Sequence, residues 1–554
     1  MSSSSMNVTY GMTAQDANTR LPWPMLLLTG LTVAMGYFVM NLVQRRRLFK
    51  DLPKPPHSFL WGHLKCMGEI FALFPKNCHV QVAATTMSQK YKLPGIFYLD
   101  LWPVADNICI VTDPDVALHM TVQRNHEKHV AEAQSLDPMI GKGNIVTAEG
   151  EQWKKMHRML APAFAIMQVT NMRPMVCGNV MEFRAIMNKL AESGEEFEFE
   201  KYMERLTVDV IGTATFGHSL GAQAMGQGSS VMQHWEEMSH AQVVVRDSWS
   251  IDVVRKHLAV RRQRAAKRKF DAILTELVQK RFDYVRHNDV SLEKRKGAII
   301  LDLILREHLQ DRPQMRQDGL DPEFLEDILT QVRTLVVGGS GTTTDTMCFL
   351  YMLLTTHPQV VQKLREEHDR VFAPGIDATY DILCSEPIKL NSLEYTTNVI
   401  KEALRLYPIG CTARREHTDA YLDFDGKRYP TKGFMILPMQ LAMHMNPDIF
   451  PNPKEFDPDR FTREDFPRHA WRPFERGPRA CLGQPLAMDE MKTILLLTIR
   501  DFDFTCAGLK PNKTPRVPWT DLDLTFGDRA FQEFLFEAKP RDGMRMRVRK
   551  SGRA

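Results

Sequence analysis

From Pro24 to Val43 the chain carries no charged residue, and Met25-Leu26-Leu27-Leu28 opens a run long enough, as a helix, to cross a hydrocarbon core of ~30 Å. Farther on, apolar residues recur at helical spacing. Between Pro358 and Phe372, Val360, Val361, Leu364 and Val371 mark one face of an amphipathic helix begun near a proline. Two short apolar runs, Gly95-Ile96-Phe97-Tyr98-Leu99 and Ile108-Cys109-Ile110-Val111, predict strands of a small sheet. The pattern is that of a mainly α protein with small β-sheets (α+β), free of internal repeats. Four segments follow in order: a short N-terminus (1–23), a transmembrane anchor (24–43), a basic and proline-rich linker (44–56) and one large domain (57–554).

Charge orients the anchor. Arg45, Arg46, Arg47 and Lys50 follow it directly, whereas only Asp16 and Arg20 precede it. The positive-inside rule puts the large domain on the cytosolic side, and the absence of a basic stretch before the apolar run argues for a retained anchor over a cleaved signal peptide. Asn7-Val8-Thr9 is then a lumenal candidate glycosylation sequon, and Leu52-Pro53-Lys54-Pro55-Pro56 a stiff hinge. With 554 residues, 44% hydrophobic content and a formal charge of +4, the chain can bury a large core and gives no reason to invoke nucleic acid. The basic cluster from Arg255 to Lys269 reads as a solvated helix face. Nine cysteines, odd in number and without C-x-x-C spacing, argue against a disulfide framework or a zinc site.

One cysteine stands apart. It lies in Phe474-Glu475-Arg476-Gly477-Pro478-Arg479-Ala480-Cys481-Leu482-Gly483. A thiolate on a metal needs N–H donors around the sulfur, and Gly477 and Gly483 let backbone approach closely. Arg479 offers a guanidinium to a carboxylate, and Phe474 an apolar cover for the loop. Cys481 is therefore the candidate axial ligand of a heme iron, a cofactor to which a thiolate lends electron density for O–O cleavage.

This segment resembles the heme-binding signature of the cytochrome P-450 family, F-x-x-G-x-R-x-C-x-G. Glu402 and Arg405, on one face of a helix stopped by Pro408, resemble the family's E-x-x-R pair, and Arg460 in Phe456-Asp457-Pro458-Asp459-Arg460-Phe461 its usual third member. The resemblance gives these three a scaffold role. It makes Arg415 a heme-propionate ligand, with neighbouring Arg414 a rival that sequence does not separate. Trp153 and His157 resemble the W-x-x-x-R element at the other propionate, with Arg158 following directly. Val336 to Thr346 resembles the oxygen-activating helix segment, which is locally distorted in the family. Thr342 falls on the threonine position, but Gly341 stands where an acid is usual. Water or Asp345, one turn beyond, are the alternative proton sources.

The resemblance implies the P-450 fold with an N-terminal transmembrane helix, heme b (iron protoporphyrin IX) and a heme-thiolate monooxygenase that places one atom of O2 into a lipophilic small molecule. Its implied electron donor is a separate NADPH-cytochrome reductase at the endoplasmic reticulum membrane, since no flavin or nicotinamide motif is present. Arg472 and Arg476 are expected to meet an acidic donor surface. The loop style is similar to filamentous-fungal enzymes of secondary metabolism. Two other readings remain: a reductase-independent heme-thiolate isomerase or dehydratase, which the glycine at 341 favours and Thr342 disfavours, and a noncatalytic heme sensor.

Overall fold

The computed structural model describes residues 23–224, 229–246, 252–288, 299–311, 315, 319–373, 375–535 and 537–552. The Asn7 sequon lies outside the described residues. The chain divides into two compact units, 1–52 and 53–554.

In the first unit, α1 spans Trp23–Leu48. It outruns the apolar stretch by about one turn, because Arg45, Arg46 and Arg47 complement the negative end of the helix dipole. Leu28, Leu31 and Val33 are exposed. From Pro24 to Leu48 the helix is long and apolar enough to cross a membrane.

The second unit is built around α5 (Pro322–Leu354), which starts at a defined cap: the Asp321 carboxylate accepts from the Glu323 N–H, and Pro322 occupies a first-turn position where no intrahelical N–H is needed. Its two halves enter different cores. Val332, Val336 and Val337 pack in one apolar cluster, and Met347, Phe349 and Leu353 in the other. Between them, residues 338–346 carry only glycine, hydroxyl and acidic side chains. The helix therefore presents a polar, small-residue band where its two apolar halves meet.

Against α5 pack α3 (Phe199–Phe216), α7 (Glu394–Leu406) and α8 (Gln484–Thr498). Helix α6 (Pro358–Val371) begins at the expected proline and buries Val360 and Leu364. The basic cluster lies on α4 (Val253–His287), where Ala259, Ala266 and Phe270 face inward and the arginines and lysines between them face water.

The sheets are small. Strands β1 (Ile96–Leu99) and β2 (Ile108–Val111) are antiparallel, and β2 runs parallel to β4 (Met435–Pro438). Strand β8 (Arg545–Lys550) pairs with β3 (Phe197–Glu198) and β5 (Phe502–Cys506). The short hairpin β6 (Glu533–Phe534) and β7 (Ala538–Lys539) carries Glu537 in its turn.

Candidate functional site

The loop before α8 is wound tightly around Cys481. The Cys481 N–H donates to the Phe474 carbonyl at 2.9 Å, and the Ala480 N–H to the Gly477 carbonyl at 3.0 Å. Gly477 has φ +89°, and a Cβ there would run into the Thr121 carbonyl, so only glycine fits. Gly483 is different: a Cβ would stand 3.9 Å from the Cys481 sulfur, ordinary contact, so what this position supplies is its N–H. The Gly483 and Gln484 N–H groups, at the start of α8, point to the sulfur. Surrounding protein raises the thiol pKa by desolvation, and these two donors pull it back. Cys481 is nonetheless open to solvent on one side. Phe474 packs beside Trp471, ring centroids 6.2 Å apart, and closes the loop against the core.

Beside this loop lies a buried cluster of cations. Arg479 donates to Glu149 at 2.8 Å and to the carbonyls of Val146 and Ala148, and its guanidinium lies 5.0 Å from the Trp153 ring centroid. Trp153 in turn sits 4.9 Å from the His157 ring, one turn along α2 (Gly150–Leu160). Burial lowers the Arg479 pKa and Glu149 opposes the shift.

The expected role of Arg415 is not supported by its position. Its side chain is 56% exposed and pairs with Glu127. Arg414 is fully buried and donates from Nη1 to the His126 carbonyl at 2.8 Å, and its Nε and Nη2 have no partner among the described residues. Alternation along extended backbone explains the exchange: Arg414 is bridged to Lys128 and Ile436, so it faces inward and its successor outward. Lys128, absent from the sequence reading, joins the cluster. It is 11% exposed, pairs with Glu132 at 3.0 Å and donates to Thr412 Oγ1 at 2.6 Å. Nothing in its local sequence marks it.

Glu402, Arg405 and Arg460 come together in one buried cluster. Arg405 donates to both oxygens of Glu402, each at 2.8 Å, and Arg460 Nε donates to Glu402 Oε1 at 3.0 Å, all three side chains being fully buried. Spare guanidinium protons reach the carbonyls of His444, Pro453 and Pro451.

The expected docking role of Arg472 and Arg476 is corrected. Arg472 is fully buried and donates to Glu475 at 2.6 Å and Thr121 Oγ1 at 2.9 Å, holding the thiol loop from inside. Arg476 spends its guanidinium on the carbonyls of Arg468 and Trp471, both at 2.7 Å. Exposed cations occur instead on α2, where Lys154 and Lys155 are each 60% exposed.

On α5, Thr342 Oγ1 donates to the Gly338 carbonyl at 2.8 Å. The helix is continuous through this segment, without the interruption that the glycines led us to expect. The space beside Gly341 is occupied: a Cβ there would collide with the Glu537 carboxylate. Asp345 is fully buried; among the described residues no N–H or hydroxyl donor reaches either of its oxygens, and the Glu537 carboxyl lies within hydrogen-bonding reach.

An accessible sulfur facing two N–H donors, together with a buried arginine whose guanidinium is half unpaired, is the donor set expected for a planar macrocycle with one axial thiolate and peripheral carboxylates. The residues present fit heme.

The comparisons agree. The family model for cytochrome P-450 matches residues 60–522. The cytochrome P-450 monooxygenase polC of Polytolypa hystricis is 31% identical over 514 residues, covering 90% of each chain. Cytochrome P-450 4A10 of Mus musculus is 27% identical, covering 85% of this chain and 87% of its own. The crystal structure of the cytochrome P-450DA heme domain superposes with a TM-score of 0.69 at 22% identity, covering 90% of this chain and 97% of that one. The polC relative, and a second fungal relative 27% identical, ptmG of Penicillium ochrochloron, are both named monooxygenases. The chain belongs to the cytochrome P-450 family and is one of its monooxygenases.

Proposed function

We propose that this monooxygenase inserts one atom of O2 into a lipophilic small molecule of fungal secondary metabolism, with electrons from a separate NADPH-cytochrome reductase at the endoplasmic reticulum membrane. The observation that carries the reading is Cys481, solvent-open on one side and held by the N–H groups of Gly483 and Gln484. Heme b, when bound through this sulfur, supplies the O–O cleaving chemistry.

The chain's own residues divide the remaining work. Cys481 supplies the thiolate, while Gly477 and Phe474 set and cover its loop. Arg414 replaces Arg415 as the propionate ligand, together with Arg479, Trp153 and His157. Thr342 positions a hydroxyl on the opposite helix. Glu402, Arg405 and Arg460 brace the floor. The exposed face of α2 offers Lys154 and Lys155 to an acidic reductase surface. The exposed apolar side chains of α1 and the basic residues after them support a single-pass anchor with a cytosolic catalytic unit. A lipophilic substrate fits a site tethered at the bilayer, and the fungal monooxygenases among the relatives support the metabolic setting.

Purified protein reconstituted with the reductase, NADPH and isotopically labelled O2, and offered a lipid extract from a fungal host, tests the reading. One labelled oxygen per product, absent without NADPH, is expected. Conversion that proceeds without reductase, or product oxygen drawn from water, contradicts it.

A further inference from the structure

The band of α5 between the two cores faces an acid that the helix itself does not carry. Glu537, in the turn between β6 and β7, puts its carboxylate where a side chain on residue 341 would lie, one position before Thr342. Thr342 already donates its proton to the Gly338 carbonyl at 2.8 Å, which leaves the lone pairs of Oγ1 free to accept another.

Charged groups from each packed element face Glu537. Strand β7, which follows it, contributes Lys539, α3 contributes Glu200 and Glu204, and α5 contributes Asp345. The Cys348 thiol lies within the field of the same groups. Lys539 donates to Glu200 at 2.8 Å, with side chains 20% and 17% exposed, and Glu204 accepts from the Trp235 indole at 3.2 Å. Thr207 and Thr344 join α3 to α5 by a hydroxyl bond of 2.9 Å beside the cluster.

Four carboxyl groups thus share one ammonium in a largely buried space. For Asp345 and Glu537, which face each other, like charges at low dielectric oppose the ionisation of both together. Asp345 has the deepest position, with no donor for either oxygen among the described residues unless one of the facing carboxyls is protonated. Burial, before any neighbour, raises both Asp345 and Glu537. Burial works against the Lys539 ammonium, but the surrounding carboxylates, Asp345 first, outweigh it and keep it charged.

We infer that Glu537 takes the place of the acid missing at Gly341 and, paired with Asp345, holds a proton for the Thr342 hydroxyl. The inference rests on the monooxygenase reading and names the proton source for that site. In the transfer an O–H bond of Glu537 breaks and one forms at Thr342 Oγ1, directly or through one water. For this the hydroxyl turns away from the Gly338 carbonyl, and its original O–H bond breaks as a water on the substrate side takes that proton. Glu537 regains a proton from solvent by way of Lys539 and Glu200, whose side chains reach the surface. No electrons move in this step; the two electrons come from NADPH.

The test uses full-length holoenzyme with NADPH-cytochrome reductase and compares wild type with Glu537→Gln and Glu537→Asp. In the wild type, the carbon monoxide complex at neutral pH should show the infrared band of a protonated carboxyl, which shifts in heavy water and is lost in Glu537→Gln. NADPH-driven O2 consumption should fall in the wild type as pH rises through the raised titration of the pair. In Glu537→Gln it should be about tenfold slower or more, and flat with pH. Glu537→Asp should restore the pH dependence. Throughout, the thiolate carbon monoxide spectrum and the rate of first reduction should stay unchanged. If Glu537→Gln keeps the wild-type rate and pH profile, or if the carboxyl band is absent or survives the substitution, the relay is wrong while the monooxygenase reading stands. A wild-type holoenzyme without the thiolate spectrum defeats that reading itself.

Discussion

His444 and Arg405 are tied by two reciprocal hydrogen bonds: the imidazole Nδ1–H donates to the Arg405 carbonyl at 3.0 Å, and Arg405 Nη1 donates to the His444 carbonyl at 3.0 Å. The other ring nitrogen, Nε2, accepts from the Arg472 N–H at 3.2 Å. Arg472 holds Glu475 in the thiol loop. One neutral imidazole therefore connects the buried triad to the segment that carries Cys481.

That connection has a pH signature. Burial, with the Arg405 charge adding to it, lowers His444 from 6.5 to about 3, and burial lowers His368 to about 3 and His79 to about 4. A histidine whose folded pKa is depressed contributes stability that is present above its unfolded pKa and lost as pH falls toward the folded one. Denaturant unfolding should thus show stability falling from near pH 6.5 toward pH 3–4, by about 1.4 kcal/mol per pH unit for each such histidine. Replacing His444 by glutamine, which keeps a donor and an acceptor, should make this slope shallower by one proton. An unchanged slope contradicts the assignment.

Adjacent arginines should behave oppositely. Arg414→Ala removes a buried guanidinium with two unpaired nitrogens, and heme should be lost ~10–100-fold faster, as expected for charge-assisted hydrogen bonds. Arg415→Ala breaks an exposed pair with Glu127 and should change stability by about 1 kcal/mol or less. Heme transfer to an apo-globin acceptor measures heme loss from both variants, and denaturant unfolding measures the stability of the second. Faster loss from the Arg415 variant alone would reverse the assignment.

The triad should respond as a unit. Glu402→Ala leaves two buried guanidinium groups without their shared carboxylate, a loss of roughly 3–5 kcal/mol, so the variant should accumulate with little bound heme and a lower denaturant midpoint. A midpoint within the error of wild type would show that the pair is not needed.

These contrasts show which parts of the site were legible in the sequence. The Cys481 loop and the Glu402–Arg405 pair could be read because their offsets are fixed by one tight loop or one turn of helix, whereas Arg460, distant in sequence, was joined to the pair only by the family resemblance. The helix from Pro358 and the strands at 96–99 and 108–111 were legible for the same local reason. Arg414 and Arg415 could not be separated, because the phase of an extended segment depends on its partners, here Lys128 and Ile436. Arg472 and Arg476 were read as surface cations because composition does not reveal a carboxylate or carbonyl waiting inside the fold. Glu537 was invisible for a stronger reason: it meets Gly341 from nearly two hundred residues away, and no local pattern records that contact.

The carbon monoxide spectrum of the reduced, purified protein, taken beside that of Cys481→Ser, tests the central assignment most directly. The wild type should show the red-displaced absorption of a thiolate-ligated heme, and the serine variant should lose it. A wild-type protein without that band, or a serine variant that retains it, would contradict Cys481 as the iron ligand.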